Sequence, residues 1–116
     1  MGQRIVPDAL RAAGFAVVVH DEVFPPGTPD RVWLARAGRE GWLVLTKDKR
    51  IRYRALERDA LRRAGVGAFV VTGKNLSGIE IAQAVIRAMP RMLRMAKKTP
   101  RPFVATVSAG GAVTHL

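Results

Sequence analysis

"WLVLTKDKR", residues 42–50, decides how this chain is read. Trp42 to Leu45 form a short apolar run, the pattern of a strand buried on both faces. The run ends at Thr46, and Lys47, Asp48, Lys49 and Arg50 follow at once. One carboxylate surrounded by cations at a strand exit has two readings. It is a solvated turn residue, since Asp favours turns, or it is a metal ligand in a site that attracts polyanions.

Working outward, residues 4–13 place Ile5, Ala9, Leu10 and Ala13 at helical spacing, and Gly14 is a natural stop. "FAVVVH", 15–20, is continuous and β-branched, which predicts a second buried strand. "DEVFPPGTPD" follows as a loop. Thr28 then suits an N-cap, with Pro29 at the first helical position and Asp30 in the first turn of a helix that stops at Gly41. Beyond the opening stretch, 55–65 predicts a helix and "VGAFVV", 66–71, a strand. Ser77 and Glu80 have capping-box spacing ahead of a long helix over 78–98, which Pro90 is expected to kink or break. Met92 and Met95 read as core filling. "PFVATV" and "AVTHL" flank Gly110-Gly111 as a hairpin.

Strands alternating with helices imply an α/β fold: three layers, α/β/α, around a mostly parallel sheet that ends in a C-terminal hairpin. With 116 residues, a single domain over 1–116 is expected. In such sheets ligands collect outside the carboxyl ends of the strands. Two of those ends carry acid here. "FAVVVH" runs into Asp21 and Glu22, and Asp48 follows "WLVLT" by two residues. Asp30, at a helix start, is placed to reach the same edge. Three carboxylates there would suit Mg²⁺ or Mn²⁺, which take oxygen ligands, and such an ion activates water against a phosphodiester. The competing reading is local: turn aspartates, and an acid complementing a helix dipole.

The composition narrows the alternatives. The chain lacks cysteine, so thiolate metal sites and disulfides are excluded. His20 and His115 stand in neither metal-ligand nor triad spacing, and His20 reads as structural. "TGKN", 72–75, lacks the glycine spacing of a phosphate loop. No run is long and apolar enough for a membrane helix, and the N-terminus lacks the apolar centre of a signal peptide, so a cytoplasmic protein is expected.

The net charge of +11 lies wholly in one part of the chain: residues 1–46 hold five basic and five acidic residues, and residues 47–116 hold fifteen and four. That asymmetry points to a polyanionic partner. In "KDKRIRYR", 47–54, Lys47, Lys49, Arg50, Arg52 and Arg54 suit a phosphate backbone, and Tyr53 either stacks an unpaired base or packs on the core. A second basic ridge, Arg87, Arg91, Arg94 and Lys98, follows helical steps. It suits RNA or an acidic protein better than a membrane.

Together, "TPDRVWL" and "VLTKDKRIR" resemble the PIN-like domain family, and more closely its VapC-type members. The likeness extends from "VPDALRAAGF" to "PFVATVSAGG", and its most specific piece is the strand followed by T-K-D-K. The resemblance implies a metal-dependent endoribonuclease, the toxin of a toxin–antitoxin pair, with RNA as substrate and a small antitoxin protein as partner. Carried over by position, Asp48 matches the family's T-x-D aspartate, Asp30 the acid that opens the P-D-x-x-W-L helix, and Asp21 the aspartate after the second strand. Each would ligate Mg²⁺ or Mn²⁺ or support a ligand.

There is one departure. The family's fold opens on a strand ending in an aspartate, whereas this sequence starts at the helix, so that N-terminal strand and its carboxylate are expected to be missing. Three explanations are open: a start assigned too late, a non-catalytic remnant that still binds RNA or antitoxin, or a strand supplied by another chain. Unpaired edges left this way invite a homodimer or strand exchange.

Overall fold

The computed structural model describes residues 5–47 and 55–116, apart from the side chains of Asp21, Leu56 and Glu57. The elements run α1 (Ile5–Ala12), α2 (His20–Val23), α3 (Asp30–Glu40), β1 (Leu43–Thr46), α4 (Ala55–Ala64), β2 (Gly67–Val71), α5 (Gly78–Lys98), β3 (Phe103–Val107) and β4 (Val113–His115). The strands stand in the order β1-β2-β3-β4. The first three are parallel, and β4 returns antiparallel to β3 with Val107 opposite Val113. The expected hairpin thus forms one edge. Among the described residues, β1 forms the other and pairs with β2 alone.

Side-chain alternation along the strands sorts the core into two halves. Phe69 and Val71 of β2, with Phe103, Ala105 and Val107 of β3, face α1 and α5. Ala68, Val70 and Val104 face α3 and α4, where Leu34, Ala37 and Leu61 meet them. Helices therefore cover both faces of the sheet, as the alternation of elements predicts. Every residue of β2 is buried, which is why its sequence shows no polar interruption.

Local signals explain most boundaries. Gly41 ends α3 in the left-handed region (φ 72°), where its N–H meets the carbonyls of Ala37 and Gly38. Ser77 and Glu80 close a full capping box at the start of α5. Gly38 has a different task. A Cβ there would overlap the main-chain carbonyl of Ala64, so the glycine lets α3 lie directly on the end of α4.

Four expectations need correction. Residues 15–19 are extended, with half-buried Phe15, Val17 and Val19 alternating with exposed Ala16 and Val18, but they join no strand ladder. A ladder needs a neighbour about 4.8 Å away. Here a cavity of about 1050 Å³ is lined by this segment on one side and by β1 on the other. Next, His20, read as the end of that strand, and Asp21 to Val23, read as loop, form a single helical turn. Thr28 is not the cap of α3: Pro29 holds that position, and the Thr28 hydroxyl donates to the Pro25 carbonyl at 2.6 Å instead. Finally, Pro90 does not break α5, which is continuous over 21 residues. Proline lacks the N–H that would serve the carbonyl of Ile86, and this stretch of the helix is exposed, so water can take that role. Met92 is buried and Met95 packs against the core, as expected.

Candidate active site

The cavity beside β1 organises the candidate site. Thr46, at the carboxyl end of β1, lines it together with Val19, His20 and Glu22 from the end of the extended segment, and Trp33 from α3. The carboxyl end of β1 and the start of α2 thus share one rim, where an α/β sheet gathers ligands.

Asp30 opens α3 and is exposed. Its Oδ1 accepts a hydrogen bond of 3.0 Å from the indole N–H of Trp33, one turn along the helix. No bond to Oδ2 forms among the described residues. The indole therefore holds one carboxylate oxygen and leaves the other available. The His20 ring meets Trp33 edge-on at 5.4 Å, and Phe24 packs on the His20 ring at 5.3 Å. Arg36 lies over the rings of Phe24 and Trp42, at 5.9 and 5.6 Å. His20 opens α2 rather than ending a strand, and its ring contact with Trp33 joins α2 to α3.

Arg11 anchors the segment that leads to α2. Its guanidinium donates to the Val17 carbonyl at 2.9 Å and approaches the Glu22 carboxylate at 3.6 Å. One side chain of α1 thereby replaces part of the missing ladder and fixes where residues 20–22 emerge.

Of the residues singled out from sequence, Asp30 does not line the cavity itself; it is bonded to Trp33, which does. The backbone of Asp21 lies in α2, whose His20 and Glu22 line the cavity, and its side chain is outside the described residues. Asp48 lies outside the described residues, as do Lys49, Arg50, Arg52, Tyr53 and Arg54; Lys47 is half-buried just past β1. Among the described residues alone, no group of three His, Cys, Asp or Glu side chains is close enough to hold a metal. The donors in question are carboxylates, the type that hard divalent cations prefer.

Against this geometry the comparisons are specific. The PIN-like domain family matches residues 1–73. This chain belongs to the PIN-like domain family. It is 30% identical over 111 residues to the putative ribonuclease VapC45 of Mycobacterium tuberculosis, an alignment covering 92% of this chain and 80% of that protein. No solved structure matches it significantly. The family match spans α1 to β2 and so includes the rim, whereas α5 and the hairpin fall beyond it.

Sequence reasoning missed Trp33 and Arg11. The first was legible, because a residue three positions after a helix-opening aspartate lies above it on the same face. Nothing in the spacing of Arg11 and Val17 announces their bond, which depends on how the chain turns at Gly14.

Proposed function

We propose that this chain is a divalent-metal-dependent endoribonuclease that cuts single-stranded RNA at the rim beside β1, and that it acts as the toxin of a toxin–antitoxin pair. The observation that carries this is Asp30 of a PIN-like chain: an exposed carboxylate bonded to Trp33, which itself lines the cavity beside the strand exit. The similarity to a putative ribonuclease supports the same reading. In it, Asp30 and Asp48 hold Mg²⁺ or Mn²⁺ and Asp21 supports them. When bound, such an ion polarises the phosphodiester and makes a nucleophile of its water near neutral pH.

The protein's part is positioning. Trp33 orients Asp30, and Arg11 sets the exit of the segment that carries Asp21. Lys47, Lys49, Arg50, Arg52 and Arg54 hold the phosphate backbone without regard to sequence, and Tyr53 stacks an unpaired base. The partners in this reading are RNA, a small antitoxin protein and, through the open edge of β1, a second copy of the chain. The cytoplasm is the compartment proposed; no helix among the described residues is long and apolar enough to cross a membrane.

The test is cleavage of single-stranded RNA by the purified protein with Mn²⁺, with Mg²⁺ and with chelator. Metal-dependent cleavage that disappears in Asp48→Asn and Asp30→Asn supports the proposal. Salt-sensitive RNA binding with no cleavage under any metal identifies a non-catalytic remnant instead.

A further inference from the structure

Both tryptophans of the chain, Trp33 and Trp42, line the cavity beside β1, and so do His20 and Phe24. All four belong to the stretch that runs from α2 through α3 to the start of β1. Trp33, Trp42 and Phe24 are half-buried, so part of each ring is within reach of a ligand. The group is held from several sides. The His20 ring meets both Trp33 and Phe24. Arg36, which is not part of the cavity wall, lies over Phe24 and Trp42. An aromatic wall therefore stands ready before any ligand arrives.

A cation shares that wall. Arg101 lines the same cavity, and its guanidinium donates to the carbonyl of Gly41, the residue before Trp42, at 2.9 Å. That bond uses one of five N–H donors. Arg101 forms no ion pair among the described residues. Glu22 is the one acid among the described residues of the lining, and Arg11 faces it at 3.6 Å.

We infer that this cavity takes a nucleobase of single-stranded RNA, stacked against the aromatic wall, with a neighbouring phosphate on Arg101. A nucleotide joins a flat π-face to an anion, and the wall joins rings to a guanidinium. Unpaired bases stack on aromatic side chains whatever their sequence, and arginine suits phosphate. The volume of about 1050 Å³ is ample for one nucleotide, and a mainly apolar lining with a few polar groups is usual for such a pocket. A strand added to the open edge of β1 is the rival occupant. It needs backbone pairing and aliphatic neighbours, and it makes no use of two tryptophans or of Arg101. The inference deepens the nuclease reading and rests on it for the class of ligand; its test does not depend on cleavage.

The test reads tryptophan emission in the presence of chelator, so that nothing is cut. Both tryptophans lie in the wall, and the signal reports on it alone. The probes are a short single-stranded RNA, an abasic oligomer of the same length and charge, and an uncharged peptide of alternating valine and threonine. Saturable quenching by the RNA is expected, with the abasic oligomer weaker by about fivefold or more. Fluorescein-labelled RNA should bind Trp42→Leu about tenfold more weakly than the wild type, the loss of one stacking ring. Asp48→Asn should be quenched like the wild type. Equal affinity for the abasic oligomer overturns the inference, because phosphates alone then account for binding; this comparison uses the wild type and holds even where Trp42→Leu melts early. Quenching by the peptide as strong as by the RNA overturns it too, by giving the cavity to a strand. Cleavage with Mn²⁺ but no quenching in chelator removes this inference and spares the nuclease reading. Quenching with no cleavage under any metal does the reverse.

Discussion

Replacing Trp33 by phenylalanine isolates what the indole does for Asp30. Phenylalanine keeps a ring against His20 and removes the single N–H that reaches Oδ1 at 3.0 Å. A hydrogen bond to an ionised acceptor is worth about 1.5–3 kcal/mol when desolvated. Asp30 is exposed, so water replaces the indole and most of that is recovered. What is lost is orientation: the carboxylate then samples all of its rotamers before a metal can use it. About 1 to 1.5 kcal/mol remains, which corresponds to roughly five- to tenfold weaker metal affinity, near the lower end of what removing an outer partner of a ligand costs. Titrating Mn²⁺ into the RNA cleavage reaction should move the half-maximal concentration upward by that factor, with the maximal rate less affected. Asp30→Asn should abolish the response at every concentration. If Trp33→Phe titrates like the wild type while Asp30→Asn is inactive, the indole does not steer the carboxylate and the geometry argued for the rim is wrong.

Three further outcomes follow from the fold. Gly38→Ala gains about 1 kcal/mol of helix propensity but drives a methyl into the Ala64 carbonyl; overpacking costs about 1–3 kcal/mol. Net destabilisation of several degrees in thermal melting is therefore expected, and an unchanged or raised midpoint would show that α3 and α4 separate freely. Ser77→Ala should cost about 1 kcal/mol through loss of the cap of α5, read by urea denaturation. The same cap predicts a pH dependence: the Ser77 N–H, and then its hydroxyl, hold the Glu80 carboxyl below its usual value of 4.5, so this stabilisation is complete above that value and fades as pH falls through the lower folded one. Glu80→Gln should flatten this dependence, whereas Ser77→Ala, which keeps the backbone N–H, should retain most of it. Arg11→Ala should speed amide hydrogen exchange over residues 15–19 while leaving β2 and β3 protected, because that guanidinium bonds to the extended segment and approaches α2 but neither of those strands.

How far the sequence alone could reach depended on whether a residue's fate is decided locally. The caps of α5, the glycine stop of α3, the hairpin and the fully apolar β2 were all legible, because each rests on chemistry within a few residues of itself. Residues 15–20 are the instructive failure. Their β-branched run correctly predicts an extended chain, and even its alternation survives in the burial of Phe15, Val17 and Val19. A strand, however, is a relation between two segments. No propensity reveals that the nearest candidate partner, β1, lies across a cavity and that the Val17 carbonyl is met by an arginine from α1 instead.

The same distinction governs the site. The acids were found as residue types at strand exits, and such a search finds donors without finding what aims them. Asp30 is more than a dipole-complementing residue at a helix start, because Trp33 occupies one of its oxygens while its ring meets that of His20. That makes the rim a property of α2 and α3 jointly. Damage to the aromatic contact should therefore pass to the carboxylate: His20→Ala, which removes the ring that meets Trp33 edge-on, should reproduce part of the Mn²⁺ shift of Trp33→Phe and add little to it in the double variant, since residues acting through one contact are not additive. Full additivity of the two would mean that His20 and Trp33 act on the rim separately.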